Sequence, residues 1–155
     1  ELQTQAVHQH GGFVDKFMGD GLMAFWPKET TWKECCEKAF KAALVFKKGL
    51  PLSLLPGDTS TLDLRIGLHC GNAIFGNFGA HGMVSQTFLG SDVNLAARCE
   101  QAKESSEGSD LSHYRIRASE AFWKRLPSKY QSELPQLVNA RVKHNEVIKL
   151  HCRSR

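Results

Sequence analysis

The stretch Gly11 to Trp26, GGFVDKFMGDGLMAFW, constrains what this chain can fold into more than any other. Two apolar-rich runs, Phe13 to Met18 and Leu22 to Trp26, flank Gly19-Asp20-Gly21. A short glycine-bearing turn between such runs is the signature of a β-hairpin. The turn holds out one carboxylate, Asp20. Glycine on either side leaves room for a ligand to approach the backbone, and no cationic residue stands within two positions, so a hard cation is a fitting partner. Asp and Gly are also ordinary turn residues, so the hairpin fixes a local fold and leaves the activity to its company. Strict alternation puts Lys16 on the strand face opposite Phe13, Asp15 and Phe17. At about 3.3 Å of rise per residue, Lys16 and Asp20 lie roughly 10 to 13 Å apart, which suits two sites or two chains better than one site.

At 155 residues and 41% apolar content, the sequence reads as one domain with its own core. Twenty Lys and Arg against sixteen Asp and Glu give a net charge of +4, which suits small anionic ligands. No basic tract or aromatic-interleaved stripe points to nucleic acid. Cys35, Cys36, Cys70, Cys99 and Cys152 are odd in number and contain no Cys-x-x-Cys, so neither a disulfide framework nor a zinc site is indicated and a reducing, cytoplasmic setting is expected. No run is long and apolar enough to span a membrane and no signal peptide is visible, so this segment is expected to make no membrane contact, although a parent chain could be anchored. Glu1 to His10 has the spacing of the last turns of a helix closing at Gly11-Gly12. With no initiating Met, the expectation is a domain truncated at its N-terminus.

After Pro27, Thr31-Trp32-Lys33-Glu34 has the form of a capping box, and Trp32, Cys36, Ala39, Phe40, Ala43 and Phe46 form the apolar stripe of a core helix closing at Gly49. On that helix the neighbouring Cys35 and Cys36 point about 100° apart, one toward the core and one partly exposed. Leu50 to Thr61 reads as a loop. Leu62 to His69 and Ala73 to Phe78 read as a second hairpin sharing a sheet with the first, with Gly79 to Ser85 as loop and Gln86 to Leu89 as a short strand. Ser91 is the N-cap expected for a helix from Asp92 to about Lys103. A strand at Tyr114 to Ala118, a helix capped by Ser119 and a strand pair, Leu137 to Arg141 with Val147 to Cys152, complete the chain. The order predicts an α+β sandwich with helices on one face of a mostly antiparallel sheet. With one more strand before the first helix it becomes the ferredoxin-like βαββαβ plan.

Asn94 and Arg98 sit four apart on the helix and project from one face, with Gln101 continuing the stripe. A guanidinium fork matches phosphate oxygens and an amide both donates and accepts, so the pair suits a nucleotide, although a solvated polar face has the same spacing. The glycines from Gly71 to Gly79 do not form a Walker loop. The seven histidines are scattered without metal spacing and read as structural or surface residues. No Ser-His-Asp arrangement or G-x-S-x-G is visible.

Three blocks, HGGFVDKFMGDGLMAFW at His10 to Trp26, RIGLHCGNAIFGNFG at Arg65 to Gly79 and TFLGSDVNLAARCE at Thr87 to Glu100, together resemble the catalytic domain of the class III adenylate and guanylate cyclases, in that family's order and spacing. The final KHNEVIKLH is similar to its closing strand region. By position, the resemblance makes Asp20 the second of two metal-binding aspartates, Lys16 and Thr87 the purine-reading residues, and Asn94 and Arg98 the pair that orients the ribose and stabilises charge on the α-phosphate. Lys143 matches a lysine contacting the triphosphate. Lys with Thr implies adenine, and the guanine-selective Glu with Cys is absent. The implied activity is adenylate cyclase of a bacterial type, converting ATP to 3',5'-cyclic AMP and pyrophosphate for signal transduction. The implied cofactors are two Mg2+ or Mn2+ ions per site. The implied partner is a second cyclase domain in a head-to-tail homodimer, with the site shared between the two chains.

One departure stands out. The family's first metal-binding aspartate lies on a first strand, in a segment like F-x-D-I-x-G-F-T, which residues 1–155 do not contain. The chain alone is therefore expected to be inactive. Its rivals are a catalytically inactive cyclase-homology domain that binds nucleotide or dimerises, and a diguanylate-cyclase-like domain, whose Gly-Gly-Asp/Glu-Glu-Phe turn is missing.

Overall fold

Helix α1 (Leu2–Gln9) stops where the sequence supplies two glycines. Gly11 takes φ +71, its N–H reaches His8 O at 3.0 Å and the Gly12 N–H reaches Val7 O at 2.9 Å, the paired closure of a Schellman motif. Trp26 covers this corner by donating from Nε1 to His10 O at 3.0 Å. The computed structural model describes residues 1–47, 49–51, 57, 60–80 and 82–154.

Strands β1 (Phe13–Met18) and β2 (Gly21–Phe25) form the expected hairpin. Its loop is shorter than read from sequence: Met18 pairs with Gly21, leaving Gly19 at φ +62 and Asp20 as a two-residue turn of II′ type. The alternation does not hold. Val14 pairs with Ala24 but Lys16 with Met23, so Asp15 is the extra residue of a β-bulge. The face assignment that separated Asp15 from Lys16 is overturned, and the two side chains converge.

Helix α2 (Trp32–Leu44) opens on Thr31, whose hydroxyl accepts from the Glu34 N–H at 3.1 Å. Cys35 and Cys36 are both buried, contrary to the expectation of one partly exposed thiol. The helix packs against α1 as well as the sheet side, so its covered face is wider than a single stripe. Strands β3 (Leu50–Pro51) and β4 (Thr61–Leu62) pair briefly; most of the loop expected between them lies outside the described residues.

The second hairpin is not the one expected. Strand β5 (Ile66–Leu68) runs parallel to β9 (Tyr114–Ser119), with Ile66 opposite Ile116. The hairpin instead joins β6 (Ile74–Ala80) and β7 (Met83–Leu89), in register from Ile74↔Leu89 to Ala80↔Met83. Gly67 explains the exchange. A Cβ there would stand 2.5 Å from Glu100 N and 2.7 Å from Ala96 O, so glycine lets helix α3 (Ser91–Gln101) lie directly on β5. The N-cap of α3 is Gly90, one position before the expected Ser91.

The chain closes with β8 (Glu104–Ser105), α4 (Glu120–Arg125), α5 (Ser128–Gln131), β10 (Gln136–Arg141), a 3-10 turn at Lys143–Asn145 and β11 (Val147–Ser154). Ser119 caps α4 as expected, accepting from the Phe122 N–H at 3.2 Å. The main sheet has the order β5-β9-β11-β10-β8, antiparallel except for β5 with β9, while each hairpin forms its own two-stranded sheet. The α+β class holds, but the helices occupy two faces. Ile66, Leu68, Ile116 and Ala118 pack with α2 and α4, whereas Gly67 meets α3 and Cys99 joins Leu150 and Cys152. The parity of β5 and β9 sends alternate residues to opposite layers.

Arg117 fixes the far end of α3. Its side chain is 1% exposed and its guanidinium donates to the carbonyls of Glu100 at 2.8 Å, Ala102 at 2.6 Å, Leu111 at 2.6 Å and Tyr114 at 3.0 Å. A cation on the last carbonyls of a helix complements its dipole, and the bonds anchor the segment that walls the cavity described below.

Candidate active site

The bulge in β1 aims Asp15 at the second hairpin. Thr87 Oγ1 donates to Asp15 Oδ2 at 2.7 Å, and Lys16 Nζ lies 3.6 Å from the same oxygen. The Asp15 side chain is 3% exposed and Thr87 is 5% exposed. A phenylalanine cluster holds the hairpins in this relation: Phe25 lies 4.1 Å from Phe88, 5.5 Å from Phe13 and 6.5 Å from Phe75, centroid to centroid. Two residues picked from separate motifs, Lys16 and Thr87, are thus brought onto one carboxylate oxygen. Asp15 was missed because alternation assigns it to the other strand face, and a bulge leaves no mark in the local sequence.

Helix α3 begins just after β7 and carries Asn94 and Arg98 one turn apart, about 6 Å of rise. Asn94 is exposed. Arg98 pairs with Glu146, just past the 3-10 turn. Beyond Arg98 opens a cavity of about 620 Å³ lined by Arg65, Arg98, Gln101, Lys103, Arg141 and Lys143, with Glu104 its one acidic lining residue among the described residues. Arg98 and Lys143 are therefore brought to one cleft, and Gln101 continues the stripe into it. Sequence reading passed over Arg65, Lys103 and Arg141 because they lie on three separate segments, just before β5, just before β8 and at the end of β10. Arg65 also pairs with Glu100 at 3.1 Å and Arg141 with Glu104 at 3.6 Å.

Asp20 stands apart from both groups, exposed at the tip of the first hairpin. Among the described residues no group of three His, Cys, Asp or Glu is placed to hold a metal ion. Mg2+ is commonly held by one or two carboxylates, with waters and substrate phosphates completing the shell, so Asp20 suits the part of a single protein ligand.

At the other end of β5, His69 is a structural residue. Its side chain is 5% exposed, Nδ1 lies 2.7 Å from Ser119 Oγ and Nε2 lies 3.0 Å from Asp92 Oδ1. Asp92 also accepts from the Asn72 N–H at 2.8 Å. The hydrogen bond from His69, then that from Asn72, holds the Asp92 carboxyl below its ordinary range. Gly71 is required here, since a Cβ would stand 2.2 Å from Asp92 Oδ2.

The comparisons with known proteins agree on one family. Residues 6–141 match the adenylate and guanylate cyclase catalytic domain. The terminal-differentiation-specific adenylate cyclase of Dictyostelium discoideum is 35% identical over 97 residues, covering 62% of this chain and 4% of that protein. The adenylate cyclase of Anabaena cylindrica is 31% identical over 103 residues, covering 62% of this chain and 20% of its own length. The chain thus spans a fifth or less of these two relatives. The adenylyl cyclase CyaB from P. aeruginosa superposes with a TM-score of 0.68 at 23% identity, over 97% of this chain and 75% of that one. The guanylyl cyclase Cya2 gives 0.70 at 19% identity, over 97% and 73%. Both have the same fold as this chain. With its motifs in order and its family match running through most of its length, the chain belongs to the adenylate and guanylate cyclase catalytic domain family.

Proposed function

We propose that this chain supplies the catalytic domain of an adenylate cyclase, closing ATP to 3',5'-cyclic AMP with release of pyrophosphate. The observation that carries the reading is the layout along α3. Lys16 and Thr87 converge on one oxygen beside the β7 strand that leads into the helix, Asn94 follows, and Arg98 and Lys143 share a basic cleft at the far end. A purine, a ribose and a triphosphate follow one another in that order.

Lys16 donates to a ring nitrogen of adenine and Thr87 accepts from the exocyclic amine. Asn94 orients the ribose so that its 3'-oxygen faces the α-phosphorus in line. Arg98 exchanges Glu146 for phosphate and meets the charge that builds on the reacting group, with Lys143 holding the polyphosphate. Divalent ions, with Asp20 as one protein ligand, supply charge neutralisation when bound. Asp20 is the protein ligand for these ions that we assign within residues 1–155.

A head-to-tail homodimer is the assembly we favour. Phe17, Met18, Ile74, Phe75, Met83 and Val84 are 52 to 81% exposed on the two hairpins, a concentration of apolar surface that marks an interaction face. A non-catalytic cyclase-homology domain is the second reading, favoured by the solitary Asp20. Assay of the full-length natural protein with ATP and Mn2+ decides between them. Formation of cyclic AMP is expected, and a dimeric protein that binds ATP without converting it would overturn the enzymatic reading.

A further inference from the structure

We propose that Asp15 is a positioning residue for base selection: it accepts the hydrogen bond of the Thr87 hydroxyl and so presents the hydroxyl oxygen to the base as an acceptor only. The inference rests on the adenine reading of Lys16 and Thr87 and adds the residue that gives that reading its polarity. A threonine hydroxyl has one proton and two lone pairs, and by itself can either donate or accept. It therefore cannot distinguish a 6-amino purine from a 6-oxo purine. Here the ambiguity is removed. Thr87 Oγ1 donates to Asp15 Oδ2 at 2.7 Å, and this contact is buried, with Asp15 at 3% side-chain exposure and Thr87 at 5%.

The arrangement depends on the bulge. In a regular strand Asp15 and Lys16 would face opposite sides, whereas the extra residue between Val14 and Lys16 turns both toward one point. Lys16 Nζ stands 3.6 Å from the same Asp15 oxygen, so the carboxylate orients a donor-only group and an acceptor-only oxygen together. Adenine presents the complement, a 6-amino donor beside an N1 acceptor. A 6-oxo purine presents an acceptor and an N1–H, setting oxygen against oxygen and N–H against ammonium. Buried groups left unpaired in this way are the strongest source of discrimination between near-isosteric substrates.

The test compares ATP with ITP, which differ at the 6-position and its neighbouring N1, in the full-length natural protein. Binding is read by calorimetry with the non-reacting α,β-methylene analogues and turnover by product formation. The wild-type protein should prefer the adenine analogue by about tenfold or more. Asp15→Leu and Asp15→Ala, each checked for a cooperative thermal transition, release the hydroxyl to donate and should cut that preference by about tenfold. Asp15→Asn keeps an acceptor oxygen in place and should retain it. In a Thr87→Val background, Asp15→Leu should have no further effect on the ratio.

If Asp15→Leu and Asp15→Ala change both analogues equally, Asp15 is merely structural and the proposal is overturned, while the adenine reading stands. If the wild-type protein binds both analogues alike, the adenine reading fails and this inference falls with it. Because binding carries the test of Asp15, absence of turnover counts against the enzymatic reading alone.

Discussion

The two ends of helix α3 have opposite polar surroundings. At the β7 end, Asp15 and Thr87 form a small buried polar contact between the two hairpins, with the Asp15 side chain 3% exposed and Thr87 5% exposed. At the Arg117 end, Arg65, Arg98, Lys103, Arg141 and Lys143 line an open cleft of about 620 Å³. A buried hydrogen bond has a fixed direction and a high penalty for the wrong partner, so it can select. An open set of cations gives a summed field that is tolerant of geometry, so it can hold and neutralise a polyphosphate. On the function proposed above, base choice and charge handling are thus separated along one helix.

Asp20 tests whether either end matters without metal. Asp20→Ala in the full-length protein should reduce Mn2+-dependent cyclic AMP formation by at least about a thousandfold, given several kcal/mol of charge stabilisation at about 1.4 kcal/mol per tenfold. The thermal transition should be unchanged, since Asp20 lies exposed in a turn whose positive φ belongs to Gly19. Retained activity would remove Asp20 from the metal site.

The cleft should divide unequally between its members. Arg98→Ala should lower kcat by about a hundredfold or more, as expected for a group that acts on developing charge. Lys143→Ala should raise KM for ATP only about two- to fivefold and weaken the dependence of KM on ionic strength, as befits one exposed cation among five. Equal losses from the two substitutions would break the distinction between a transition-state contact and a general field.

The smallest effect concerns the support beneath the helix. Because the Asp92 carboxyl is held below its ordinary value, chiefly by the bond from His69, its contribution to stability is complete above the unfolded-state value near 3.9 and is lost as pH falls through the lower native value. Asp92→Asn should therefore lower Tm modestly at pH 6 and flatten the fall in Tm below about pH 4. The ATP-to-ITP preference should not move, since the Asp92 carboxylate bonds His69 and Asn72 and not Asp15, Lys16 or Thr87.

Local chemistry was legible wherever a few neighbouring residues decide the outcome. The Gly11-Gly12 helix stop, the Thr31 and Ser119 caps and the β10–β11 pair are all short-range, and the three motif blocks with their order carry the family. Asp20, Lys16, Thr87, Asn94 and Arg98 are legible in these blocks, and Lys143 in the final KHNEVIKLH. Strand pairing was less legible, because β5 finds β9 fifty residues away, Ile66 opposite Ile116, and the choice turns on Gly67 letting a helix backbone approach. The sequence by itself determined which side chains are available and the local turns and caps that present them. Only the tertiary structure decided that a bulge turns Asp15 onto Thr87, and that five cations from separate segments share one cleft, because both depend on contacts between segments distant in sequence.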